Sequence, residues 1–556
     1  MIKPLCLLLA LSFSVPVLGA DLGQARTLVD QRRYAEAIAV YEVLLAEQPG
    51  QADLLIEAAR VNAWADRHPP AASLYQQAID AAPHRRHDVL LALAWQLAWD
   101  GRHEEAIPLF QEVAQQVPAQ KTEARHGLAE SLSATNRLPQ ALETYRALTA
   151  DPADLKARKG EARVLLWLDR HAEAAEGYRA ILQAHPADKE AQTGLARALN
   201  HGGRHFAAVS AYAAAVHDDP DLARDTRVER AVALRWAGLE DLALQTLGDA
   251  DGKGVSDLRS TLRQETASHL RADFESSWDS DDLDILALTA GWQQRFSAGR
   301  LLDVSARGAR IEQHGSRIDG RQLLVRTGAR LGNVEQGLFW PALTVGVRDY
   351  DGWQTAAWKL QGKWIPADLW RVDLEAGNEV VENIESLTNE VTFNAVSTSA
   401  DWRFAPRWSA TLGGAVLRFD DDNQRTRLTG RVERIVKTAQ PRIVLGAEGI
   451  GFNDSDPTLD RGYYNPEHYR ELKLLARAEH ETAGWLLNAR LALGKLWETP
   501  GDDSGLYAWE LSAARDLATM LRLRMYAGGS DSSAFLQGTG SGYTRNYLGT
   551  SLIWFY

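Results

Sequence analysis

Trp370-Arg371-Val372-Asp373-Leu374-Glu375-Ala376-Gly377 sets apolar side chains at every second position, with charged or small ones between them. A period of two marks an extended strand with one face in water and one face out of it. Leu302, Val304 and Ala306 against Asp303, Ser305 and Arg307 repeat the pattern, as do Leu472, Leu474 and Ala476 against Glu471, Lys473 and Arg477. The apolar face of a soluble sandwich would favour large residues throughout, whereas many outward positions here are Ala, Gly or Thr. Tryptophans gather near segment ends, at Trp340, Trp353, Trp358, Trp364, Trp370, Trp402, Trp408, Trp485 and Trp497. Aromatic girdles at the two interfaces of a membrane barrel account for that distribution. Leu548, Thr550, Leu552, Trp554 and Tyr556 keep one face apolar or aromatic to the end of the sequence. About sixteen such segments fit between residues 266 and 556, an even number that closes an antiparallel sheet without free edges.

Upstream the period changes. Tyr41, Tyr75, Phe110, Tyr145, Tyr178 and Tyr212 recur at near-equal spacing, and Ala37, Ala71, Ala106, Ala141, Ala174 and Ala208 stand four residues before them. Positions i and i+4 share one helical face, so a small residue that admits a close neighbour is paired with a ring that fills the gap to the next unit. Pro49, Pro83, Pro118, Pro152, Pro186 and Pro220 follow, where a residue that cannot continue a helix closes each unit. A repeat of about 34 residues predicts a stack of helix pairs. The stretch resembles tetratricopeptide repeats, Arg33-Tyr34-Ala35-Glu36-Ala37-Ile38 and Arg170-His171-Ala172-Glu173-Ala174 being clear turns into the second helix, and residues from Trp236 to Leu247 form a degenerate cap. The resemblance implies a binding surface rather than a catalytic apparatus.

The expected organisation is an α + β chain of two domains. Met1-Ile2-Lys3, an apolar run from Leu5 to Leu18 and a small-residue exit at Gly19-Ala20 read as a signal peptide over residues 1–20, too short to span a bilayer. An α-solenoid of repeats over 21–262 and an antiparallel transmembrane β-barrel of about 16 strands over 263–556 follow, with Gly252, Lys253, Gly254 and Ser256 breaking the helical pattern between them. The single cysteine, Cys6, falls within the leader, so a mature chain without thiol, disulfide or lipid is expected. No other apolar stretch reaches about 18 residues, which leaves strands as the means of crossing a membrane. A net charge of -13 argues against a nucleic-acid partner.

In this order the two parts resemble the outer-membrane exporters of biofilm polysaccharides such as poly-β-1,6-N-acetylglucosamine and cellulose. The likeness narrows to Gly462-Tyr463-Tyr464-Asn465-Pro466, with Tyr469 beyond it. It implies an exopolysaccharide cargo, outer-membrane lipid around the barrel, and repeats that bind the polymer or its modifying enzyme; one chain supplies enough strands to close a pore, so a monomeric barrel is expected. The large exporters carry more repeats than this chain, which leaves the polymer and the docking enzymes open. Strand parity sends Arg326, Arg330, Arg371, Asp373, Glu375, Glu379, Glu471, Lys473, Arg477 and Glu479 to the lumen, together with Asp303, Arg307, Arg431, Glu433 and Arg490. A polymer in transit needs many weak polar contacts in series, and both signs of charge are available.

No cofactor, metal or catalytic set is expected. His201 and His205 have the spacing of two ligands on one helix, but Gly202 and Gly203 interrupt it. The acidic runs at Asp279, Asp281, Asp282 and Asp284 and at Asp420, Asp421 and Asp422 read as barrel loops without the spaced glycine and distal glutamate of a calcium loop. Gly538, Gly540 and Gly542 read as turn residues. Two other classes compete with export: a barrel-anchored receptor or scaffold that recruits periplasmic partners, and an enzyme embedded in the barrel, for which no nucleophile and base can be named.

Overall fold

The computed structural model describes residues 21–556 except 253, 500, 502 and 533–542, and of Ala298 only the backbone. The leader with Cys6, Lys253 of the interdomain break, and Gly538, Gly540 and Gly542 lie outside the described residues. Two compact units divide the chain, one ending at Ala198 and one beginning at Leu199.

The first unit stacks antiparallel helix pairs, among them Ala52–Trp64 with His68–Ala81, Arg86–Trp99 with His103–Gln116, Lys121–Ala134 with Leu138–Leu148, and Leu155–Trp167 with His171–Ala184. Ala37, Ala71, Ala106, Ala141 and Ala174 are fully buried, and the aromatic residue four positions on from each is buried with it. Rings of three of these units lie on a glycine of the following pair. A Cβ on Gly127 would sit 2.3 Å from Phe110, on Gly160 2.3 Å from Tyr145, and on Gly194 2.4 Å from Tyr178. Close packing leaves no room for even one added carbon there. The two helices of a pair are joined by a left-handed residue, such as Asp66 (φ 55°), Asn136 (φ 58°) or Asp169 (φ 58°), the αL cap that ends a helix.

The second unit opens with the helices His205–Val216, Pro220–Asp225, Arg227–Trp236, Glu240–Leu247 and Val255–Thr266. Pro220 thus starts a short helix in addition to closing the unit before it. The strands follow: β1 His269–Asp279, β2 Asp284–Arg295, β3 Leu301–Gln313, β4 Ser316–Gly328, β5 Leu331–Asn333, β6 Gly337–Tyr350, β7 Trp353–Ala367, β8 Trp370–Val380, β9 Thr392–Ala405, β10 Trp408–Phe419, β11 Gln424–Lys437, β12 Arg442–Asp454, β13 His468–Thr482, β14 Trp485–Thr499, β15 Ser504–Ala518, β16 Leu521–Ser530 and β17 Arg545–Phe555. Each pairs antiparallel with its neighbours, and β17 returns to β1 from Phe555 opposite His269 to Arg545 opposite Asp279. The sheet is therefore a closed barrel of sixteen strands, with β5 an extra short strand that shares β6 with β4.

The wall alternates as a membrane barrel must. Leu472 and Leu474 are 54% and 70% exposed on the outer face, while Glu471 and Lys473 between them are buried on the inner one. Trp364, Trp370, Trp402 and Trp408 form part of a girdle at the rim where the helices join, with Trp370 and Trp402 stacked at 5.4 Å. Trp340 departs from the expected girdle. It faces inward, under Lys363 at 4.3 Å, and touches Gly238 of the helical segment.

Candidate functional site

The inner wall carries a ladder of alternating charge. Along β11 to β14, Lys473 bonds Glu471 and lies 3.2 Å from Glu448. Glu448 lies 3.2 Å from Arg490 and 3.6 Å from Arg431. Glu433 lies 3.7 Å from Arg477, and Arg477 3.4 Å from Glu479, which pairs with Arg442 at 2.6 Å near the rim of the helices. A second series runs over β6 to β8, where Lys359 bridges Glu375 at 3.2 Å and Glu379 at 2.8 Å, and Arg348 reaches Glu379 at 3.1 Å. Two residues apart on a strand means the same face, so these charges meet opposite ones across or along the sheet. The result is a polar wall whose charge is largely compensated. Glu448 stands at the centre of three cations, and Glu448→Gln is expected to shift the pore's selectivity toward anions, read as the reversal potential of a planar bilayer under a salt gradient.

At the far end, two connections fold into the mouth. The first, 381–391, contains the helix Ile384–Thr388 and crosses to β2, β3 and β6, where Leu387 packs with Leu283, Ile285, Ile311 and Tyr350. Glu382 receives Arg307 at 2.6 and 2.9 Å and the Tyr350 hydroxyl at 2.9 Å. The second, 455–467, carries the Gly-Tyr-Tyr-Asn-Pro element. Gly462 (φ 86°) lies against the first connection, its carbonyl accepting from Asn383 Nδ2 at 2.5 Å. Tyr463 stacks on Phe419 at 4.2 Å, donates to Asp421 at 2.8 Å and accepts from Asn423 at 3.0 Å. Burial pushes the Tyr463 phenol well above its ordinary range, so it remains a protonated donor. Tyr464 donates to Glu498, and its carbonyl accepts from Arg425, which pairs with Asp454 at 3.0 Å. Asn465 bonds the carbonyls of Asp456 and Leu459. Pro466 leads back toward β13, and Tyr469 stacks on Phe452 at 4.5 Å and donates to Glu471 at 2.9 Å.

At the near end, the last helices are built onto the rim. Asp368 of the β7–β8 turn accepts from the Phe206 and Ala207 amides at 2.6 and 3.1 Å, capping the helix His205–Val216. Arg330 grips Asp241 at 2.6 and 3.1 Å. Leu338 is buried with Phe206, Ala237 and Leu239. Across the ring, Gln264 bonds Asp516 near the end of β15 and Thr519 of the β15–β16 turn, and receives Arg522 at 2.8 Å. His205 stacks on Trp236 at 6.0 Å and bonds Asn200 at 2.9 Å, and burial lowers its pKa. A depressed histidine pKa means the unfolded chain binds more protons, so stability is lost as pH falls from the unfolded value of about 6.5 toward the folded one. Protection factors for amide exchange in the helix His205–Val216, which correct for the intrinsic pH dependence of exchange, are expected to fall as pH drops from 7.5 to 5.5, and His205→Gln to flatten that dependence.

Of the residues singled out by parity, Arg326, Arg371, Asp373, Glu375, Glu379, Glu471, Lys473, Arg477 and Glu479 lie on strands at inward positions. Arg371 pairs with Asp373 at 2.8 Å near the rim of the helices. Arg330 is the exception: it stands between β4 and β5, where the strand breaks, and it binds a helix rather than facing the open lumen. Asp279 caps its own loop through the amides of Asp281 and Leu283, and Asp420 holds Arg461 at 3.3 Å. Among the described residues no cluster with metal-binding geometry occurs. Asp368, Glu448, Arg425 and Glu382 were not singled out by sequence. Glu448 was legible from parity; the other three act through partners dozens of residues or more away.

A family model of the PgaA membrane β-barrel domain matches residues 328–486. Tetratricopeptide-repeat models match residues 22–86, 66–121, 99–163 and 159–223. The chain resembles a tetratricopeptide-repeat exopolysaccharide export porin. This PgaA-like barrel sits in a bacterial outer membrane, with the repeats in the periplasm. Among solved structures, a bacterial polysaccharide outer membrane secretin is 14% identical with a TM-score of 0.45, over 52% of this chain and 99% of its own. A tetratricopeptide-repeat protein of Cytophaga hutchinsonii is 15% identical with a TM-score of 0.36, over 43% of this chain and 99% of its own. One from Thermus thermophilus is 21% identical with a TM-score of 0.27, over 33% and 99%. No curated protein matches the sequence. The matched models, a membrane barrel and tetratricopeptide repeats, describe non-enzymatic kinds of domain.

Proposed function

We propose that this chain is an outer-membrane porin that exports a biofilm exopolysaccharide of the poly-β-1,6-N-acetylglucosamine type, with residues 1–20 a leader, 21–262 a periplasmic repeat domain and 263–556 the barrel. The observation that carries the reading is the PgaA-like match over residues 328–486, in the middle of a closed sixteen-strand barrel wide enough for an aqueous channel. The compensated charges of the inner wall, Arg371, Asp373, Glu375, Glu379, Glu471, Lys473, Arg477 and Glu479 among them, offer a glycan replacement for its water without a strong trapping site. The repeats bind the nascent polymer or the enzyme that modifies it, and one chain closes the barrel as a monomer. Deleting the gene and assaying extracellular and periplasmic polysaccharide, with sugar composition, tests this directly. Loss of one polymer outside the cell with accumulation behind the outer membrane is the expected result; unchanged polymer in both fractions would overturn it.

One observation favours a second reading. The connections 381–391 and 455–467 are bonded to each other inside the mouth, as a barrel serving only to anchor a periplasmic scaffold would allow. Bilayer recordings separate the two, since an anchor conducts no ions under any condition that leaves it folded.

A further inference from the structure

We infer that the repeat domain holds a sugar-stacking subsite on Trp95 and Trp99. The inference rests on the reading of the repeats as the polymer-binding part. A cavity of about 570 Å³ is lined by these two indoles with Thr122, Glu123, Glu130 and Lys156. Trp95 and Trp99, one turn apart on the helix Arg86–Trp99, are stacked at 5.4 Å with an interplanar angle of 24°. Both are held from behind. Phe110 meets Trp95 edge-on at 5.1 Å, and His68, fixed by a 3.0 Å bond to buried Gln96, packs on Trp99 at 5.5 Å. Trp99 nonetheless remains 57% exposed. A large indole kept half in water and locked in place by its neighbours is a preorganised platform, because its ordering entropy is already lost before anything binds.

The rim of the cavity selects what lies on the platform. Lys156 sits 5.5 Å from the Trp95 ring and 2.8 Å from Glu130. Glu123 makes no ion pair among the described residues. A flat, weakly hydrated C–H face with hydroxyl or amino groups around its edge fits this combination, which is the form of a β-linked pyranose. An aliphatic peptide side chain would stack on the indoles but offer the Glu123 carboxylate no donor. The same helix-terminal position holds exposed indoles in two other repeats of this unit, Trp64 at 51% and Trp167 at 50%. Equivalent platforms in successive repeats suit a ligand that repeats itself, and the Trp95–Trp99 pair is the strongest of the three because it combines a second indole with a cavity.

Calorimetric titration of the full chain in detergent with a β-1,6-linked N-acetylglucosamine hexamer and with cellohexaose tests the assignment. At least one probe is expected to bind, about tenfold or more weakly to Trp99→Ala, with partial recovery in Trp99→Tyr and no change in the helical melting curve. Equal affinity in wild type and Trp99→Ala, or no binding of either probe to the wild type, would overturn the subsite. If secretion still depends on the gene in that case, only the subsite falls. If the gene's deletion leaves secretion unchanged, the export reading falls with it.

Discussion

Replacing Arg425 with methionine is expected to lower the stability of the barrel by about 3–5 kcal/mol and to release the connection 455–467 from the mouth. Arg425 is 2% exposed, the largest of the fully buried side chains. It holds Asp454 through three hydrogen bonds of 3.0 to 3.2 Å, lies 4.2 Å from the Phe452 ring, and donates to the Tyr464 carbonyl. Removing it strands the buried Asp454 carboxylate without its cation, and that desolvated charge is the main cost. Arg425→Met with Asp454→Leu should therefore recover most of what the single variant loses. The urea midpoint of the barrel in detergent, with trypsin cleavage in 455–467 as the local readout, checks both statements. A single variant as stable as the wild type, or a double variant no better than the single, would contradict the assignment.

Gly462→Val is expected to raise ionic conductance severalfold by forcing the two mouth connections apart. The glycine has φ 86°, in the left-handed region that β-branched residues avoid. A Cβ there would come within 2.6 Å of Glu385 Cβ and 2.7 Å of the Ser386 amide nitrogen, and the second of these is backbone that cannot swing aside. Separation of 455–467 from 381–391 relieves both conflicts. Gly484→Val is the matched control, because Gly484 has φ 77° in the β13–β14 turn but nothing within 4 Å of an added Cβ. Single-channel recordings of the two variants decide the matter: equal conductance in both would show that the contact at Gly462 does not limit flow.

Local periodicity carried the architecture. The Ala-to-aromatic spacing of the repeats and the alternation of Trp370 to Gly377 each express a face, and a face survives whatever the rest of the chain does. What escaped was set by partners distant in sequence. Nothing around Arg330 tells that the strand breaks there and that Asp241, 89 residues earlier, takes its side chain. Trp340 looks like any girdle residue until Gly238 is found against it. Asp368 reads as a turn residue, yet it caps a helix 162 residues upstream. The Gly-Tyr-Tyr-Asn-Pro element was visible as a motif, but its contacts with Phe419, Asp421 and Asn383 depend on two connections folding inward, which no period encodes.

The attachment of the last helices to the barrel has a consequence for how they move with it. Asp368, Arg330 and Leu338 secure them on the β4 to β8 side, and Asp516, Thr519 and Arg522 secure them on the β15–β16 side. Held at both places, and against the β2–β3 turn between them, these helices are braced to the rim rather than hanging from its edge as a stalk. A pull on the last helices is therefore spread into the sheet at several turns at once, so they move with the barrel instead of swinging from it as on a hinge.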